Sequence, residues 1–496
     1  FIDEIHRLNK SQQDSVLPYV ENGTIRLIGS TTENPSFEVI PSLRSRCQIF
    51  RLESLSEKDM ESLLDRGLID KESGLGNDSF EIDSDARNLI ISYANGDARK
   101  ALNISDLREM ARRRLTRALF DFCDKGSEDQ VGMRDNRVAL DRIKLMPRIL
   151  CDVSFRDPGI TLFGKRHDLP LLIGPTGPAG FVWYRGETAL ARAAAAANIP
   201  FTLASNSNRD MEEVITDGGG TQWYQLYVWQ DAEAALVTVK RARDAGFEAM
   251  VLTVDSPVYN NREIDIRNGL KFPPRVTMRT AIDAALHPRW LLGVWGRYVL
   301  SHGGLPAFSN IHIPDEQKAN ATSYVSAATT SFLNRNDTLD WDYLRRLRDL
   351  WPRKLLIKGV LHPDDAVMAA DCGVDGIFVS NHAGNVNDTA ITAWDALPAI
   401  VEAVGNRMTI IADTGVRRGS DVLKGLALGA NAVAIGRSTL YGVAAAGEAG
   451  ATRALEIFDA EIRRTMAVMG LTDISSINRD HIRLPGDLPV SGSTKS

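Results

Sequence analysis

The sequence is poor in cysteine and has no surplus of basic charge. Its four cysteines, Cys47, Cys123, Cys151 and Cys372, stand far apart with no CxxC pair, so neither a disulfide framework nor a zinc site is indicated, and no bound metal is expected. A reducing cytoplasm is the default location. The net charge of −6, with 25% charged residues, lacks the cationic excess of a nucleic-acid binder, and no nucleic-acid partner is expected. Signal peptides and long uncharged apolar spans are missing. So is any GxxxxGK(S/T) loop, the backbone cradle and lysine that hold the phosphates of a nucleotide. The chain also opens at Phe1 without methionine, inside what reads as a strand, which suggests that something upstream is missing. At 496 residues and 44% hydrophobic, it reads as a soluble globular protein of two domains, or one large barrel with an attachment.

What is present centres on Gly376 to Asn385, GIFVSNHAGN. A short apolar run that ends abruptly in Ser, Asn and His reads as a buried parallel strand delivering polar groups to the open end of a sheet. For an isolated histidine the favoured reading is a core residue satisfied by a carbonyl, but this one has company. Similar runs occur at 170–175, 200–205, 223–228, 249–254, 354–359, 408–413 and 432–437, and Ala-rich helical stretches alternate with them. Eight strand-helix units give an α/β fold of the TIM (β/α)8 type, with the active site at the C-terminal ends of the strands. The long gap between the fourth and fifth runs, about 258–350, is expected to be an insertion or lid.

Those ends supply Thr176, Ser205, Gln225 with Tyr227, Thr253 with Asp255, Lys358, His382, Asp413 and Arg437. Glycines and arginines follow the seventh and eighth runs, in Gly415 to Gly419 and in Gly436 and Arg437. That is the usual phosphate position of such barrels, so a phosphorylated cofactor is expected.

The stretches PLLIGPTG, QLYVWQDAEAA, LTVDSP, RLRDLWPRKLLIKGV, VSNH, DTGVRRGSDVLKGLALGA and IGRSTLYGVAA resemble the FMN-dependent α-hydroxy-acid dehydrogenase and oxidase family over about residues 103–496. Within it they are most similar to mandelate and L-lactate dehydrogenases, and Gly177 follows the dehydrogenase pattern. The resemblance implies FMN as cofactor and a small L-2-hydroxy acid as substrate. His382 matches the base and Asp255 its charge partner. Lys358 matches the lysine beside flavin N1 and the C2 carbonyl, Tyr227 the active-site tyrosine, and Arg262 a substrate-carboxylate arginine. FMN contacts would fall to Ser205, Gln225, Thr253, Ser380, Asp413, Arg417, Gly436 and Arg437, with Thr176 and Gly415 beside them. A quinone or other electron acceptor and a homotetramer are also implied.

Two positions depart from the family pattern. The arginine usual three residues after the histidine is Asn385, and a tyrosine that touches the carboxylate is Phe122. A lost charged contact weakens binding by roughly tenfold to a hundredfold, so the alternative is an FMN-binding barrel with altered or impaired substrate use. In the insertion, residues 285–300 combine Trp290, Leu291, Leu292, Val294, Trp295 and Tyr298 with Arg289 and Arg297. That composition suits an interfacial helix, and related dehydrogenases are membrane-associated here, so peripheral contact with the inner face of the cell membrane is expected beside the plainer reading of core or oligomer packing.

Residues 1–102 differ in kind. FIDE, STTEN, LRSRC and GDARKALN resemble the AAA+ ATPases of the replication-associated recombination (MgsA/Werner-interacting) family from the Walker B strand onward. Asp3 and Glu4 match the Walker B acids, Asn34 sensor 1, Arg46 the arginine finger and Arg99 sensor 2. Without a phosphate loop this segment is expected to be a truncated remnant or fusion lacking ATPase activity; the other reading is a subunit tied to a DNA-repair ATPase. No Gly, Pro or Ser linker marks the join near Asn103.

Overall fold

Eight short runs of buried aliphatic residues become parallel strands that close on one another. In the computed structural model they are β1 Leu171–Ile173, β2 Phe201–Ala204, β3 Gln222–Leu226, β4 Ala249–Thr253, β5 Lys354–Val360, β6 Gly376–Val379, β7 Thr409–Ala412 and β8 Ala432–Ile435. They pair in sequence order, and β8 returns to β1 to complete a closed barrel. The structure describes residues 2, 5, 8, 10–31, 39–49, 62–66, 103–229, 231–270, 277–304, 306, 308–311 and 335–487.

Strands buried on both faces need no alternation of polar and apolar residues, and β1, β2, β3, β4, β6 and β8 are buried at every position. Leu172, Trp223, Val251, Leu356, Phe378 and Ile411 meet inside the barrel as one cluster. A hairpin of Ile160–Leu162 and Lys165–His167 adds Leu162 to that cluster and sets the Phe163 ring 5.8 Å from Trp223. The outer ring is α1 Gly186–Ala196, α2 Met211–Gly218, α3 Ala232–Ala245, α4 Trp341–Leu350, α5 Pro363–Asp371, α6 Ala393–Val404, α7 Gly419–Ala427 and α8 Arg437–Met469. Local chemistry sets their ends: Asp231 caps the first turn of α3, and Gly246, at φ 101°, stops it in a left-handed conformation.

Helix α4 corrects the expected insertion of 258–350. Its Tyr343, Leu344 and Leu347 are buried, so the last ten residues assigned to the insertion are the barrel helix between β4 and β5. The expected interfacial segment also divides differently. Trp290, Val294 and Tyr298 are buried, and the Trp290 indole donates to the Phe181 carbonyl at 2.8 Å. The exposed apolar side chains are Leu286, Leu292, Val299 and Leu300. No helix among the described residues is long and apolar enough to cross a membrane.

Contacts divide the chain into Phe1–Ala101 and Leu102–Ser496. In the first unit, helix Lys10–Glu21 and the short helix Pro41–Arg44 surround a small cluster of Ile5, Ile40 and Leu43, and the Gln13 side chain accepts from the Ile40 amide at 3.0 Å. Arg46 lies half-exposed against Glu21 at 2.6 Å. Asp3, Glu4, Asn34 and Arg99 lie outside the described residues.

Candidate active site

β6 ends at Val379, and the next residues turn sharply. His382 and Ala383 have φ of 54° and 56°, followed by Gly384 at 71°. Two consecutive non-glycine residues in the left-handed region mark a turn held by its surroundings. The holding contacts are visible. Asn381 exchanges amide hydrogen bonds with Asn136 at 2.8 and 3.0 Å, and the Ser127 hydroxyl donates to the Asn385 carbonyl.

The turn aims His382 at Asp255, just beyond β4, with Nδ1 3.0 Å from Oδ1 and 3.1 Å from Oδ2. A carboxylate only accepts, so Nδ1 carries the proton and Nε2 is left to accept from the Tyr227 hydroxyl at 3.2 Å. Burial alone would raise the Asp255 carboxyl. The charge and hydrogen bond of His382, with Lys358 nearby, overcome it and hold the group below its ordinary range. Asp255 comes this close because the neighbouring strand is bare: Gly359, at φ 110° on a bulge of β5, has no side chain where a Cβ would lie 2.4 Å from that of Asp255. Burial pushes the Tyr227 phenol up, so it stays a proton donor.

Lys358, buried on β5, places Nζ 2.6 Å from the Ser380 hydroxyl and 3.1 Å from Asp413 Oδ2. Burial works to lower its pKa, but Asp413, Asp255 and Tyr227 outweigh it and raise it. The lysine is therefore a cation at neutral pH.

A cavity of about 600 Å³ opens over these groups, lined by Thr176, Gln225, Tyr227, Thr253, Lys358, His382, Asp413, Gly415, Arg417, Gly436 and Arg437. Phe122, Arg262 and Asn385 also face it. Ser205 and Ser380 do not. The Ser205 hydroxyl donates to the Gln225 carbonyl and accepts from the Tyr227 amide, stitching β2 to β3, and Ser380 accepts from Lys358 and from the His382 amide. In this arrangement the Ser205 hydroxyl both donates to and accepts from the protein, whereas Ser380 accepts twice and supports Lys358 and His382 from behind the wall. Asp255 likewise stands behind His382. Cys123 lines the cavity, but burial pushes its thiol up to about 12 and leaves it unreactive.

Arg262 differs most from expectation. Nε and Nη2 both bond Asp265, at 2.6 and 3.3 Å; Nη2 also donates to the Phe122 carbonyl at 2.8 Å. Nη1 donates to the Lys125 carbonyl at 3.1 Å and to the Asn385 side-chain oxygen. A guanidinium has five N–H groups, and all five are taken. The expected carboxylate grip is therefore a strut in this arrangement. The residue that sequence reasoning missed is Arg335. It faces the same cavity with its guanidinium 3.8 Å from the Tyr227 ring centre and 4.6 Å from that of Trp229, and its buried Nε and Nη1 have no hydrogen-bond partner among the described residues.

The lining fits FMN. Neither the Arg417 nor the Arg437 side chain is ion-paired with a carboxylate among the described residues, and Arg437 opens α8, whose N-terminus at Gly436 has no side-chain cap and lines the cavity. Burial, with Arg417 and Arg262 nearby, lowers Arg437 to about 10, still protonated at neutral pH. A phosphate would relieve this cluster. Thr176 Oγ1 and Asp413 Oδ1 are buried without partners, and Gln225 and Thr253 add amide and hydroxyl groups, the mixed donors and acceptors that a flavin ring and ribityl chain need.

The comparisons with known proteins agree with this geometry. Residues 111–484 match the family described as FMN-dependent dehydrogenase. The chain is 39% identical to (S)-mandelate dehydrogenase of Pseudomonas putida over 384 residues, 77% of this chain and 94% of that protein. It is 41% identical to L-lactate dehydrogenase of Caulobacter vibrioides over 374 residues, 75% and 95% of the two chains. Among solved structures, the monotopic membrane protein (S)-mandelate dehydrogenase superposes with a TM-score of 0.72 at 39% identity, covering 77% of this chain and 99% of that one.

Proposed function

The chain belongs to the FMN-dependent dehydrogenase family, and from that premise we propose how its residues divide the work of oxidising an L-2-hydroxy acid to the 2-oxo acid. Bound FMN supplies the two-electron acceptor. Thr176, Gln225, Thr253, Lys358, Asp413, Gly415, Arg417, Gly436 and Arg437 would hold it. His382 takes a proton from the substrate's CH(OH) group at Nε2, where Tyr227 now donates. Asp255 stabilises the imidazolium that results, and its depressed pKa keeps it charged for that purpose. Lys358, fixed between Ser380 and Asp413, keeps a positive charge where negative charge gathers.

The observation that carries the reading is the His382–Asp255 pair, joined to Tyr227 and facing the same cavity as a buried, charged Lys358. Ile266, Phe308 and Ile311 on the outer wall favour a substrate with an apolar side chain, closer to mandelate than to lactate. Anaerobic titration of the FMN-reconstituted protein with L-mandelate, L-lactate and glycolate tests this. Flavin bleaching that vanishes in His382→Ala supports the assignment, and bleaching that survives it refutes the role of His382.

Three further elements belong to the proposal. Electrons leave to a quinone or similar acceptor from a homotetramer. The protein sits peripherally on the inner face of the cell membrane, with Leu292 and Leu300 rather than Trp290 entering the lipid. Residues 1–102 are taken as an AAA+ ATPase fragment without ATPase activity; ATP hydrolysis abolished by Glu4→Gln would overturn that.

A further inference from the structure

We infer that Arg335 takes over the substrate's carboxylate, the contact that Asn385 no longer provides and that Arg262 is not free to make. This rests on the 2-hydroxy-acid reading above. Two of the cavity's cations already have a carboxylate partner, Arg262 with Asp265 and Lys358 with Asp413, and His382 is likewise engaged by Asp255. Arg417 and Arg437 lie beyond β7 and β8 at the phosphate end. That leaves Arg335 as a cation facing the cavity with neither an acidic neighbour among the described residues nor a place in the phosphate group.

Its geometry suits the task. A backbone bridge to Trp229 anchors Arg335, and the Tyr227 and Trp229 rings lie against its guanidinium. Aromatic rings satisfy the positive face but not the N–H groups, which lie in the guanidinium plane. Nε and Nη1 thus remain buried donors in need of acceptors. Tyr227 is also the residue whose hydroxyl reaches His382 Nε2, so an acid held by Arg335 sits on the same aromatic platform as the base. The specificity that follows is for a monocarboxylate over its uncharged amide or ester.

Binding without turnover tests this. FMN-loaded wild type and Arg335→Met, which keeps the aliphatic stem over the rings, are titrated with phenylacetate and with phenylacetamide, following the perturbation of the flavin spectrum. Wild type should bind the acid more tightly; Arg335→Met should weaken phenylacetate by about tenfold to a hundredfold and leave phenylacetamide within about twofold. Arg335→Lys, retaining charge without the planar donors, should fall between. If Arg335→Met binds phenylacetate as wild type does, or loses both ligands equally, the inference is wrong. FMN affinity should be unchanged in both variants, which separates a lost contact from a damaged fold. A wild-type flavin that binds phenylacetate yet is reduced by no 2-hydroxy acid would sink the proposed reaction and leave the Arg335 contact standing.

Discussion

The side-chain oxygen of Asn385 accepts a hydrogen bond from Nη1 of Arg262, while its amide nitrogen donates to the His382 carbonyl at 3.0 Å. The residue that departs from the family pattern is therefore a tie between the arginine and the turn that carries the base. Its side chain does a structural job.

If Arg262 is a strut, removing it harms stability more than recognition. Its pair with Asp265 is largely buried, 14% and 13% exposed, and breaking a buried pair costs about 3 kcal/mol. Arg262→Met should lower the unfolding free energy by that order in urea denaturation. A variant that unfolds like wild type but loses phenylacetate selectively would return Arg262 to the role of carboxylate ligand.

Asp255→Asn should slow flavin reduction by about a hundredfold or more, because the imidazolium loses its counter-charge. Stability should follow the sign of its shift. The folded carboxyl titrates below its unfolded value of about 3.9, so its stabilisation is complete above that pH and disappears as pH falls through the folded pKa. The stability gap between wild type and Asp255→Asn should be flat from neutral pH down to about pH 5 and close in stronger acid. A gap that widens on acidification would contradict the assigned shift.

Lys358 moves the other way. Its folded pKa is raised, so its contribution is complete below the unfolded value of about 10.4 and declines as pH rises through the folded one. Lys358→Met also leaves Asp413 without its cation, and a loss of about 3 kcal/mol at neutral pH is expected. Denaturation from pH 7 to pH 11 should show this gap constant at first and narrowing only at the alkaline end.

For the outer face, replacing both Leu292 and Leu300 by Ser removes two exposed side chains, each worth about 2 kcal/mol of apolar transfer. Pelleting with anionic liposomes should fall at least tenfold. Trp290→Ser should act on folding instead, since that indole is 2% exposed and bonded to Phe181. Undiminished pelleting of the double variant would remove Leu292 and Leu300 from the membrane contact.

The barrel was legible because each of its strands is a brief apolar run whose polar successors all arrive at one mouth. His382, Asp255, Lys358 and Tyr227 could be assembled from that rule and a family resemblance. The engagement of Arg262 could not, since its acceptors come from residues 122, 125, 265 and 385, and their meeting is a property of the folded chain. Arg335 carries no local signal at all in LNRND; only its bridge to Trp229 brings it to the cavity. Helix α4 was absorbed into the insertion although its start is signalled, by the Asn336–Thr338 turn and the Asp340 cap, because the long gap between strands was read as one element. For residues 285–300 composition left core packing and membrane contact side by side, and the burial of Trp290, Val294 and Tyr298, at i, i+4 and i+8, marks an inward face for those three.

The Ser380 oxygen has two acceptor positions, and both are filled: one by Lys358 Nζ at 2.6 Å, the other by the His382 amide at 3.1 Å. The proton-accepting and charge-stabilising halves of the reaction are hinged on a single atom, so neither can be repositioned without dragging the other. Two positions at issue in substrate choice are coupled to that hinge. The Asn385 amide bonds the His382 carbonyl, and the Arg335 guanidinium lies over the Tyr227 ring that reaches His382. A lineage that changes what it binds there must keep the base in register as it does so.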